Sequence, residues 1–430
     1  MSARADLFTA LRSRVPPLLI DDDRSWTASE LLAHSTESTV LQLSNAVVGL
    51  RLAGDTASQL SALLQCWQKE FAVVLLPPHW SAPQTSGICA QLRSATPPKV
   101  DDAATVVFTS GSTGRPSGLL HTFAQQVLAA ETSQAVLPLG EGDRWLLSLP
   151  LVHVGGLQIV FRCATAGATV VAGEGSLVAN VVRHRPTHLS VVDKQLRVLL
   201  DDEMAVRVLQ EAKGILVGGG PLTDATAQRA LALGLPLRAT YGSTESCAQV
   251  VTASASSPLQ LTERLPEREV RITDDGAIAI RSPTLACSRF SDGAWGPFVD
   301  DDGWYVTRDA GAFVDDVLVV SGRLDRMFIS GGENVQPEAI EQALCAVDGI
   351  ARAVVVPVDD GDYGQRPYAF VQGAPVDIDA LNAQAKLVRH EKLVGVDILA
   401  GDASLKPQLV DLQCRAQSLY DDQVASRRRS

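Results

Sequence analysis

A run of hydroxyl-bearing residues and glycines follows a short apolar strand and could hold an anion. Val106-Val107-Phe108 leads into Thr109-Ser110-Gly111-Ser112-Thr113-Gly114, and a helical pattern begins at about Thr122. Small residues let backbone N–H groups approach an anion closely, and the hydroxyls add donors. The spacing is not that of a Walker A loop, and no GxSxG can be drawn around Ser112. We interpret the run, placed between a strand and a helix, as a phosphate loop; a plain flexible turn is the alternative.

A second run, Thr240-Tyr241-Gly242-Ser243-Thr244-Glu245, combines an aromatic ring with a carboxylate. The glycine beside Tyr241 would let a flat ring, such as a nucleobase, stack near the backbone. Magnesium prefers one or two carboxylates together with ligand phosphates, so Glu245 is a candidate magnesium ligand. The alternative interpretation of Glu245 is a solvated glutamate in a loop.

Two charged residues further along could bind a sugar. Asp309 ends the run Trp304-Tyr305-Val306-Thr307-Arg308-Asp309, and an aspartate at a strand end can accept hydrogen bonds from both hydroxyls of a ribose. Arg323, in Gly322-Arg323-Leu324-Asp325, is a permanently charged, forked donor. A surface ion pair between Asp309 and Arg323, which would stabilise the protein little, is the alternative.

Two features near the C-terminus carry little information alone. Gly331-Gly332 would form a flexible turn ahead of Pro337, a residue whose φ suits the first turn of a helix. An ordinary loop and helix start would look the same. Lys406 lies in Ala403-Ser404-Leu405-Lys406-Pro407, and an isolated lysine is usually solvated.

The elements that must position these residues alternate between strands and helices. A helix predicted over Thr56–Lys69 lies between the apolar segments Ala46–Leu52 and Phe71–Leu76, which is the rhythm of a βαβ unit with a parallel sheet. Pro77–Pro98 is rich in Pro, Ser and Gln and is predicted to be a loop. Further predicted strands are Trp145–Leu149, Thr169–Val171, His188–Val192 and Gly214–Val217, and a further predicted helix is Leu222–Leu233.

The second half of the sequence has more β character. A hairpin is predicted over Glu269–Arg281 around Asp274-Asp275-Gly276, and a second β region over Trp304–Val320. Beyond the charged break at Arg323, helices at Pro337–Val347 and Asp379–Val388 and strands at Ala353–Pro357 and Tyr368–Val371 indicate a small α+β unit. The sequence therefore predicts a domain over residues 1–322 and a smaller one over residues 323–430.

Composition excludes several classes of protein. The chain has 430 residues, is 46% hydrophobic and carries 37 basic against 49 acidic residues, so it can bury a large core and repels nucleic acid. Its 7 cysteines contain no CxxC pair, which argues against structural zinc and disulfides. Val15–Ile20 is too short for a signal peptide, and no apolar run suits a membrane helix. We expect a cytoplasmic protein with no nucleic-acid partner and no membrane insertion; a homo-oligomer stays open.

Taken together, the order and spacing of the motifs resemble the adenylate-forming superfamily of acyl-CoA synthetases, peptide adenylation domains and luciferases. The stretch Leu149-Pro150-Leu151-Val152-His153-Val154-Gly155-Gly156-Leu157-Gln158-Ile159-Val160-Phe161-Arg162 is similar to the pattern of o-succinylbenzoate–CoA ligases, which act in menaquinone biosynthesis. Val217-Gly218-Gly219-Gly220-Pro221 and Ser330-Gly331-Gly332-Glu333-Asn334-Val335 fit the same subfamily. The resemblance implies a large α/β domain of mixed, mostly parallel sheets flanked by helices, with a β-rich subdomain, followed by a small mobile α+β domain.

The resemblance also implies a reaction and its cosubstrates. A carboxylate attacks the α-phosphate of ATP, and the thiol of coenzyme A then displaces AMP from the acyl-adenylate, with Mg²⁺ as the metal. The substrate would be an aromatic carboxylate, o-succinylbenzoate. Both steps are substitutions that need charge stabilisation more than covalent help from the protein.

The implied roles fall into groups. Residues matching the ATP site are Thr109, Ser110, Gly111, Ser112, Thr113 and Gly114 on the phosphates, Gly219, Gly220, Pro221, Tyr241 and Gly242 around adenine, and Asp309 and Arg323 on the ribose. Residues matching the catalytic positions are Thr244 at the α-phosphate, Glu245 on magnesium and Lys406 bridging the carboxylate and the α-phosphate. Residues matching the acyl pocket are His153, Gly156, Arg162, Ser190 and Ser243. Asp325 matches the hinge, and Gly331 and Gly332 match the coenzyme A tunnel.

One residue of the acyl pocket has an alternative of its own. A cationic or donor-rich feature is expected deep in the pocket, because the substrate carries two carboxylates. Arg162 could pair with the aromatic carboxylate of o-succinylbenzoate or with an acid inside the sheet. For His153, a satisfied core histidine is the alternative.

The chain departs from the family pattern at four places. Ser117 stands where the phosphate loop usually has a lysine, Arg308 where a glycine is usual, and Leu405 where a glycine commonly precedes the catalytic lysine. Gly401-Asp402 replaces a Pro-Arg or Pro-Lys pair. These departures keep two alternatives open: another acyl- or aryl-CoA synthetase, or a degenerate nucleotide-binding relative.

Overall fold

The computed structural model describes residues 2–14, 16–22, 24–110, 116–373, 377–399 and 409–429. Within these ranges the strands form three sheets with helices packed on their faces. Two predicted groups of site residues, Gly111, Ser112, Thr113 and Gly114 in the phosphate loop and Lys406 with its neighbours, lie outside the described residues.

The strands are numbered in chain order. They are β1 Leu19–Asp21, β2 Arg24–Trp26, β3 Thr39–Gln42, β4 Val47–Arg51, β5 Ala72–Leu75, β6 Ala103–Ser110, β7 Pro116–Thr122, β8 Arg144–Leu146, β9 Thr169–Ala172, β10 His188–Val191, β11 Gly214–Val217, β12 Leu237–Ser243, β13 Ala248–Ala253, β14 Leu261–Arg264, β15 Glu269–Ile272, β16 Ala277–Arg281, β17 Ser288–Ser291, β18 Ala294–Gly296, β19 Tyr305–Val314, β20 Val317–Arg323, β21 Phe328–Ser330, β22 Glu333–Val335, β23 Ile350–Asp360, β24 Gly364–Gly373 and β25 Gly395–Ile398.

The helices are numbered in the same way. They are α1 Ala3–Ser13, α2 Ala28–Ala33, α3 Thr56–Gln68, α4 Ala82–Ser94, α5 Phe123–Ser133, α6 Val154–Ala166, α7 Leu177–His184, α8 Asp193–Leu200, α9 Glu203–Gln210, α10 Asp224–Ala232, α11 Pro337–Cys345, α12 Ile378–Gln384 and α13 Leu409–Arg429. Several begin at a residue whose side chain accepts a backbone N–H of the first turn, as Asp55 does for α3 and Thr122 for α5. Even α13 is too polar to cross a bilayer, and no other helix in the described ranges has the required length and apolar character.

The largest sheet has 13 strands in the order β15-β16-β19-β20-β14-β13-β12-β11-β10-β8-β9-β1-β2. Strands β12, β11, β10, β8, β9 and β1 are parallel neighbours, whereas β12 pairs antiparallel with β13 and opens the β-rich half. The parallel half is fully buried along β9, β10 and β11, as expected when helices cover both faces. The sheet therefore joins an α/β half to an antiparallel half at β12.

The second sheet has 7 strands in the order β18-β17-β7-β6-β5-β4-β3. Its centre, β4-β5-β6, is parallel, and β7 and β17 extend it in antiparallel fashion. The third sheet contains β22, β21, β24 and β23, with β25 on β24, and α11 and α13 pack against β23. The α/β fold class predicted from the sequence is confirmed.

An aromatic cluster fixes α3, α5 and α6 against one another. The rings of Phe123 and Phe161 both lie 5.3 Å from that of Trp67, and Trp67 donates from Nε1 to the carbonyl oxygen of Ala104 at 3.0 Å. All three rings are buried. Because aromatic pairs add to the free energy of burial, this cluster sets where α6, the helix that carries Arg162, lies on the sheet.

Most predicted elements are present, but two predictions were wrong. Pro77–Pro98 was predicted to be a loop, yet it contains α4, which Ser81 caps and which buries Thr85, Cys89 and Leu92 at helical spacing. The polar composition hid this narrow apolar stripe. The phosphate loop was predicted to lie between a strand and a helix, but β7 follows it and pairs with β6, so α5 begins only at Phe123.

The predicted boundary between two domains falls at the end of a strand. Arg323 is the last residue of β20, and the strands of the third sheet all follow it. The division into residues 1–322 and 323–430 stays a prediction.

Candidate active site

Three of the candidate segments meet where central parallel strands of the 13-stranded sheet end, along the edge formed by their carboxyl ends. Ser190 lies near the carboxyl end of β10, Gly218 follows β11, and Tyr241 lies near the end of β12. These strands are parallel neighbours, with Ser190 opposite Leu216 and Val217 opposite Ala239. In open α/β sheets, ligands bind in the crevice outside the carboxyl ends of the strands. The edge is therefore the candidate active site.

The glycine turn after β11 packs against β12 and exposes its far side. A Cβ added at Gly218 would lie 2.7 Å from Cγ2 of Thr240, and Gly219 has a φ of +76°, a value that favours glycine. Gly220 and Pro221 are exposed, and a Cβ on Gly220 would meet nothing within 4 Å. The turn thus leaves open space at Gly220, next to the strand that carries Tyr241. Its contact with adenine stays a prediction.

Tyr241 and Asp309 are joined by a hydrogen bond between two halves of the sheet. The Tyr241 hydroxyl donates to Oδ2 of Asp309 at 2.8 Å, and the Asp309 backbone N–H donates to Oγ1 of Thr307 at 3.0 Å. Burial, and then the charge of Asp309, raises the pKa of Tyr241. The phenol therefore stays protonated and holds the carboxylate in one orientation.

Arg323 reaches two carboxylates. In the β19–β20 ladder it lies directly opposite Asp309, and its Nη1 is 3.5 Å from Oδ1 of Asp309. Its closer partner is Asp325, at 2.9 Å from Nε and 3.0 Å from Nη2. The hydrogen bond to Asp325 is the main reason that the pKa of Arg323 is raised. Asp309 and Arg323 thus face each other across the ladder, and Arg323 is held mainly by Asp325. Binding of ribose by this pair stays a prediction.

Asp325 also accepts a hydrogen bond from Arg308. Nη1 of Arg308 lies 3.3 Å from Oδ2 of Asp325. Arg308 occupies the place where the sequence departs from the expected glycine. Its guanidinium therefore adds a second cation to the carboxylate that was predicted to be the hinge.

The segment that carries Thr244 and Glu245 has an unusual backbone. Cys247 and Ala248, immediately after it, have φ values of 58° and 87°, which are uncommon for residues other than glycine. A Cβ on Gly242 would lie 1.7 Å from the carbonyl oxygen of Ala248, so only glycine fits there. The turn is also held by the segment just before β17, because the Ala286 N–H donates to the Glu245 carbonyl oxygen at 2.9 Å.

Glu245 is half-buried, and within the described residues its carboxylate has no ion pair. Among the same residues no group of three or more His, Cys, Asp or Glu side chains could hold a metal ion by itself. A single carboxylate is compatible with magnesium that takes its other ligands from phosphates and water. Glu245 therefore fits the predicted magnesium position as one ligand.

Ser243 and its neighbours shape the start of this turn. The Ser243 backbone N–H donates to Oγ of Ser246 at 3.1 Å, and Thr284 Oγ1 donates to the Ser246 carbonyl oxygen at 3.1 Å. His121 lies fully buried near the backbone of Thr244 and Glu245, and burial lowers its pKa to about 4. The imidazole beneath this turn is consequently neutral at physiological pH.

Thr109 is the first residue of the predicted phosphate loop and lies near the end of β6. It pairs with Ser117 across β6 and β7, and its Oγ1 donates to the Ser117 carbonyl oxygen at 3.4 Å. A Cβ on Gly118 would lie 2.9 Å from Cγ1 of Val106, so the two strands approach closely. β6 and β7 are thus paired in antiparallel fashion up to Ser110 and Pro116, which flank the predicted loop.

The two pocket residues at the start of α6 have different surroundings. His153 is exposed at the N-cap of the helix, where its carbonyl oxygen accepts from the N–H groups of Gly156 and Leu157, each at 3.1 Å. Gly156 is buried, and a Cβ there would lie 2.2 Å from the carbonyl oxygen of Pro150. Gly156 therefore allows the helix to pack against the segment before it.

Arg162 is a buried cation with neutral partners. It is 2% exposed, its Nη2 donates to Oε1 of Gln249 at 2.7 Å, and its Cζ lies 5.1 Å from the ring of Trp145. Its Nε has no hydrogen-bond partner among the described residues. Burial lowers its pKa to about 10, so the guanidinium is still charged at neutral pH. Within the described residues no acid pairs with it, which leaves the alternative of an acid inside the sheet without support.

Arg162 is connected to the other pocket candidates. Its partner Gln249 lies opposite Gly242 in the β12–β13 ladder. Trp145, which faces its guanidinium, donates from Nε1 to Oγ of Ser190 at 3.2 Å. The structure thus brings Arg162 and Ser190 together beside the turn that begins at Gly242 and Ser243.

The Gly331-Gly332 pair forms the two-residue turn between β21 and β22. Their φ values are +60° and +89°, which suit glycine in a tight hairpin. The Gly331 N–H donates to the carbonyl oxygen of Tyr363 at 2.9 Å. The turn lies in the third sheet, and its predicted contact with coenzyme A stays a prediction.

Sequence reasoning missed four residues that shape the site: Trp145, Gln249, His121 and Tyr305. Trp145 and Gln249 lie inside strands, where an apolar or amide side chain gives no signal of a site. Tyr305 was quoted only as part of the run before Asp309, yet burial and then the charge of Glu245 raise its pKa. Only strand pairing brings these residues to the site.

Comparison with known proteins decides the family. Residues 18–286, more than half of the chain, match the family model described as AMP-binding enzyme. The chain belongs to the AMP-binding enzyme family. The resemblance to adenylate-forming enzymes inferred from the motifs is thereby confirmed.

Within the AMP-binding family, the chain is similar to 2-succinylbenzoate–CoA ligases. The ligase of Salmonella typhimurium is 36% identical over 269 residues, which cover 63% of this chain and 58% of that protein. The ligase of Bacillus subtilis is 32% identical over 340 residues, which cover 73% of this chain and 70% of that protein. The chain thus spans less than two thirds of the length of the Salmonella protein.

A solved structure of this family superposes along nearly the whole chain. It is the o-succinylbenzoate CoA synthetase from Bacillus subtilis in complex with the acyl-adenylate intermediate OSB-AMP. The TM-score is 0.78, the sequence identity is 25%, and the superposition covers 96% of this chain and 97% of that one.

Proposed function

We propose that the protein is an ATP-dependent o-succinylbenzoate–CoA ligase of menaquinone biosynthesis, an AMP-forming acid–thiol ligase. The observation that carries this proposal is Arg162, a buried guanidinium that keeps its charge and has only neutral partners in the described residues. An uncompensated buried charge is costly unless a counter-charge arrives. A substrate carboxylate supplies that counter-charge. The similarity to 2-succinylbenzoate–CoA ligases supports the same acid.

The reaction has two substitutions. In the first, an oxygen of the aliphatic carboxylate bonds to the α-phosphorus of ATP, and the bond from that phosphorus to the bridging oxygen breaks as pyrophosphate leaves. In the second, the sulfur of coenzyme A, after losing its proton, bonds to the acyl carbon, and AMP leaves with the carboxyl oxygen. Both steps develop negative charge that fixed donors and cations stabilise.

The ATP site occupies the edge where β10, β11 and β12 end. Adenine lies between Tyr241 and the open turn at Gly219, Gly220 and Pro221. The ribose hydroxyls bind Asp309, which Tyr241 orients, with Arg323 beside it. Thr109 to Gly114 hold the terminal phosphates, and Thr244 reaches the α-phosphate.

Glu245 is the protein ligand for magnesium. Its carboxylate is half-buried, without an ion pair in the described part of the chain, and on the turn that follows Gly242. When bound, the ion would neutralise charge on the phosphates. Cys247 and Ala248, with their positive φ values, set the course of the backbone just after Glu245.

The acyl pocket uses the residues around Arg162. Its guanidinium binds the aromatic carboxylate, while Trp145 and Gln249 hold it in place. Ser190 and Ser243 line the same region, and His153 lies at its entrance. Lys406 bridges the reacting carboxylate and the α-phosphate, because an ammonium group is charged at neutral pH.

The two steps use two arrangements of the chain. Residues 323–430 form a small mobile domain, Asp325 is its hinge, and the Gly331-Gly332 turn guides the pantetheine arm of coenzyme A. Such a motion needs only a few permissive backbone positions. The enzyme acts in the cytoplasm on small molecules.

The experiment combines ATP, magnesium, coenzyme A and o-succinylbenzoate, and follows pyrophosphate and the thioester separately. A panel of other aryl and acyl acids runs beside it. We expect thioester formation with o-succinylbenzoate and at least tenfold lower kcat/KM with the other acids. Binding of ATP without turnover of any acid would favour a degenerate relative, and turnover of another acid would favour a different synthetase.

A lysine pair separates the assignment of Lys406 from that of the reaction. Lys406→Ala should lower the rate of adenylation by about 10²- to 10³-fold, by analogy with the loss of one transition-state donor. Lys392→Ala, at an exposed lysine of the same part of the chain, is the matched control and should keep the wild-type rate. A wild-type rate in Lys406→Ala together with a loss of rate in Lys392→Ala would leave the proposed reaction in place and overturn the assignment of Lys406.

A further inference from the structure

Arg289 lies beside the strand that leaves the phosphate loop. In the pairing of β17 with β7, Arg289 is opposite Leu119, and in the pairing of β7 with β6, Ser117 is opposite Thr109. Side chains two residues apart on a strand share a face, and directly paired residues share that face as well. Thr109, Ser117 and Arg289 therefore lie on one face of the seven-stranded sheet, with Arg289 as the diagonal neighbour of Ser117.

This face has no cation on β7 where the loop ends. Ser117 is neutral, and its Oγ donates to the carbonyl oxygen of Phe290 at 3.4 Å, next to Arg289 itself. Diagonal neighbours in an antiparallel pair lie about 7–8 Å apart, within reach of a long side chain. The guanidinium of Arg289 can thus place its positive charge in the region that a charged side chain at position 117 would occupy.

Two aromatic rings lie beside the guanidinium of Arg289. Its Cζ lies 5.0 Å from the ring of Phe298 and 6.0 Å from that of Tyr305, and the two rings stack 4.5 Å apart. Arg289 is half-buried, and no acidic side chain in the described ranges pairs with it. The rings support the stem of the side chain, while its charge remains available to an anion.

Arg289 lies near β19, the strand that carries Asp309 of the proposed nucleotide site. Its Cζ is 6.0 Å from the ring of Tyr305, the first residue of that strand. Burial and then the charge of Glu245 raise the pKa of Tyr305, whereas the charge of Arg289 lowers it. Arg289 also shares a sheet face with Thr109, the first residue of the predicted phosphate loop. A cation at position 289 is therefore placed beside the two strands that flank this loop.

We propose that Arg289 binds the terminal phosphates of ATP, and the pyrophosphate that leaves, and supplies from β17 the positive charge that Ser117 does not bring on β7. This inference rests on the proposed nucleotide site, and it assigns to Arg289 a role in binding the polyphosphate and none in binding AMP. A guanidinium suits this role because its fork presents several donors to phosphate oxygens.

The test measures binding of magnesium–ATP and of AMP by calorimetry to the whole chain. Arg289→Met keeps the stem that packs on Phe298 and Tyr305 and removes the charge. We expect its Kd for ATP to rise about tenfold or more, the scale of a lost hydrogen bond to a charged group, with less than a twofold change for AMP. Arg289→Lys should restore ATP binding to within about threefold, since the charge returns.

A double variant separates a charge effect from a packing effect. Ser117→Lys combined with Arg289→Met moves the cation from β17 to β7. We expect the double variant to reverse at least half of the increase in log Kd for ATP that Arg289→Met causes. A structural role of Arg289 would weaken ATP and AMP binding alike and would not be rescued by a lysine at position 117. Equal weakening, unchanged ATP binding in Arg289→Met, or absence of rescue would each overturn the proposal.

Two further measurements separate a failure of this inference from a failure to fold and from a failure of the proposed function. Melting temperatures identify a variant that fails to fold. If Arg289→Met fails to fold, the binding of inorganic pyrophosphate to Arg289→Lys is compared with its binding to Arg289→Gln, and equal affinities would refute the role. If the wild-type chain binds neither ATP nor AMP, the proposed function and this inference both fail. If the wild-type chain binds both and the Arg289 variants match it, only this inference fails.

Discussion

The hydroxyl of Tyr241 donates to Oδ2 of Asp309 at 2.8 Å and thereby connects the last parallel strand of the large sheet to its antiparallel half. Tyr241 belongs to β12 and Asp309 to β19, and the two strands are separated in the sheet by β13, β14 and β20. The sheet must therefore curve so that the two side chains meet. That curvature brings a ring that can face adenine and a carboxylate that can face ribose to one place.

Tyr241→Phe should weaken nucleotide binding more than it slows the chemistry. Removing the donor leaves Asp309 without its orienting partner, and a hydrogen bond to a charged group contributes about 1.5–3 kcal/mol. We expect the KM for ATP to rise at least tenfold with kcat changed less than threefold, measured by pyrophosphate release. Tyr420→Phe, which removes the hydrogen bond that the Tyr420 hydroxyl of α13 donates to Asp360 of β23, is the matched control. An unchanged KM in Tyr241→Phe would contradict the role of this pair.

Arg162→Met should weaken binding of the acid substrate and leave binding of the nucleotide unchanged. The substitution removes the buried charge at nearly constant volume, which by itself is neutral or even stabilising. We expect the KM for o-succinylbenzoate to rise at least tenfold while the Kd for ATP stays within twofold. Arg268→Met, at a buried arginine held by Thr132 and the Pro266 carbonyl oxygen, is the control and should leave the KM for the acid unchanged. Equal effects of both substitutions would point to a packing role for Arg162.

Gly242→Ala should disable the site without unfolding the protein. The added Cβ would lie 1.7 Å from the Ala248 carbonyl oxygen, so the turn that carries Glu245 must move. Such crowding costs about 1–3 kcal/mol of stability, and a displacement of 1 Å can cost roughly 10²-fold in rate. We expect a loss of about that size in kcat/KM. Gly140→Ala, where an added Cβ meets nothing within 4 Å, is the control. Wild-type activity in Gly242→Ala would show that the turn tolerates the shift.

Stability should fall as the pH drops below about 6.5, the unperturbed pKa of histidine. Burial lowers the pKa of His188, whose ring stacks on Trp145 and bonds to the Pro138 carbonyl oxygen, with Asp143, Lys213 and Arg162 as the charged groups near it. The unfolded chain then binds a proton that the folded chain does not, so stability is lost as pH falls through the unfolded pKa.

The measurement is the free energy of unfolding in urea between pH 8 and pH 5. We expect His188→Gln to flatten the loss below about pH 6.5 by up to 1.4 kcal/mol per pH unit, the limit for one proton. His79→Gln, at an exposed histidine, should keep the wild-type slope. Identical slopes for wild type and His188→Gln would contradict this prediction.

The sequence predicted local elements well because their patterns are local. The apolar segments that became β4, β5, β10 and β11 stand out from their polar surroundings, and the hairpin β15–β16 follows from Asp274-Asp275-Gly276. Where two patterns conflict, prediction failed: α4 has a polar composition with few apolar side chains, and β7 begins with Pro116 and contains Gly118. In both, tertiary packing outweighs composition.

The site was predictable only where a motif contains its own chemistry. Glu245 and Asp309 could be proposed from the sequence because each carboxylate ends a short run of hydroxyl-bearing and aromatic residues. Their roles stay predictions. The neutral partners of Arg162, and the position of Arg289 beside Ser117, depend on strand pairings between segments far apart in the chain. No local pattern encodes such a register, so these residues could be recognised only in the folded structure.

Arg323, at the end of β20, contacts two carboxylates, those of Asp309 and Asp325. One side of its guanidinium lies near Asp309, and the other is held by Asp325, at the start of the segment that leads into the third sheet. In the proposed function the nucleotide binds Asp309 with Arg323 beside it, so it would act on the same guanidinium that Asp325 holds. Thermodynamic reciprocity then requires that anything that loosens Asp325, including a rearrangement of the last quarter of the chain, alters the affinity for nucleotide by the same factor. Release of AMP and the position of the C-terminal residues would then be coupled, so that a change in one equilibrium changes the other.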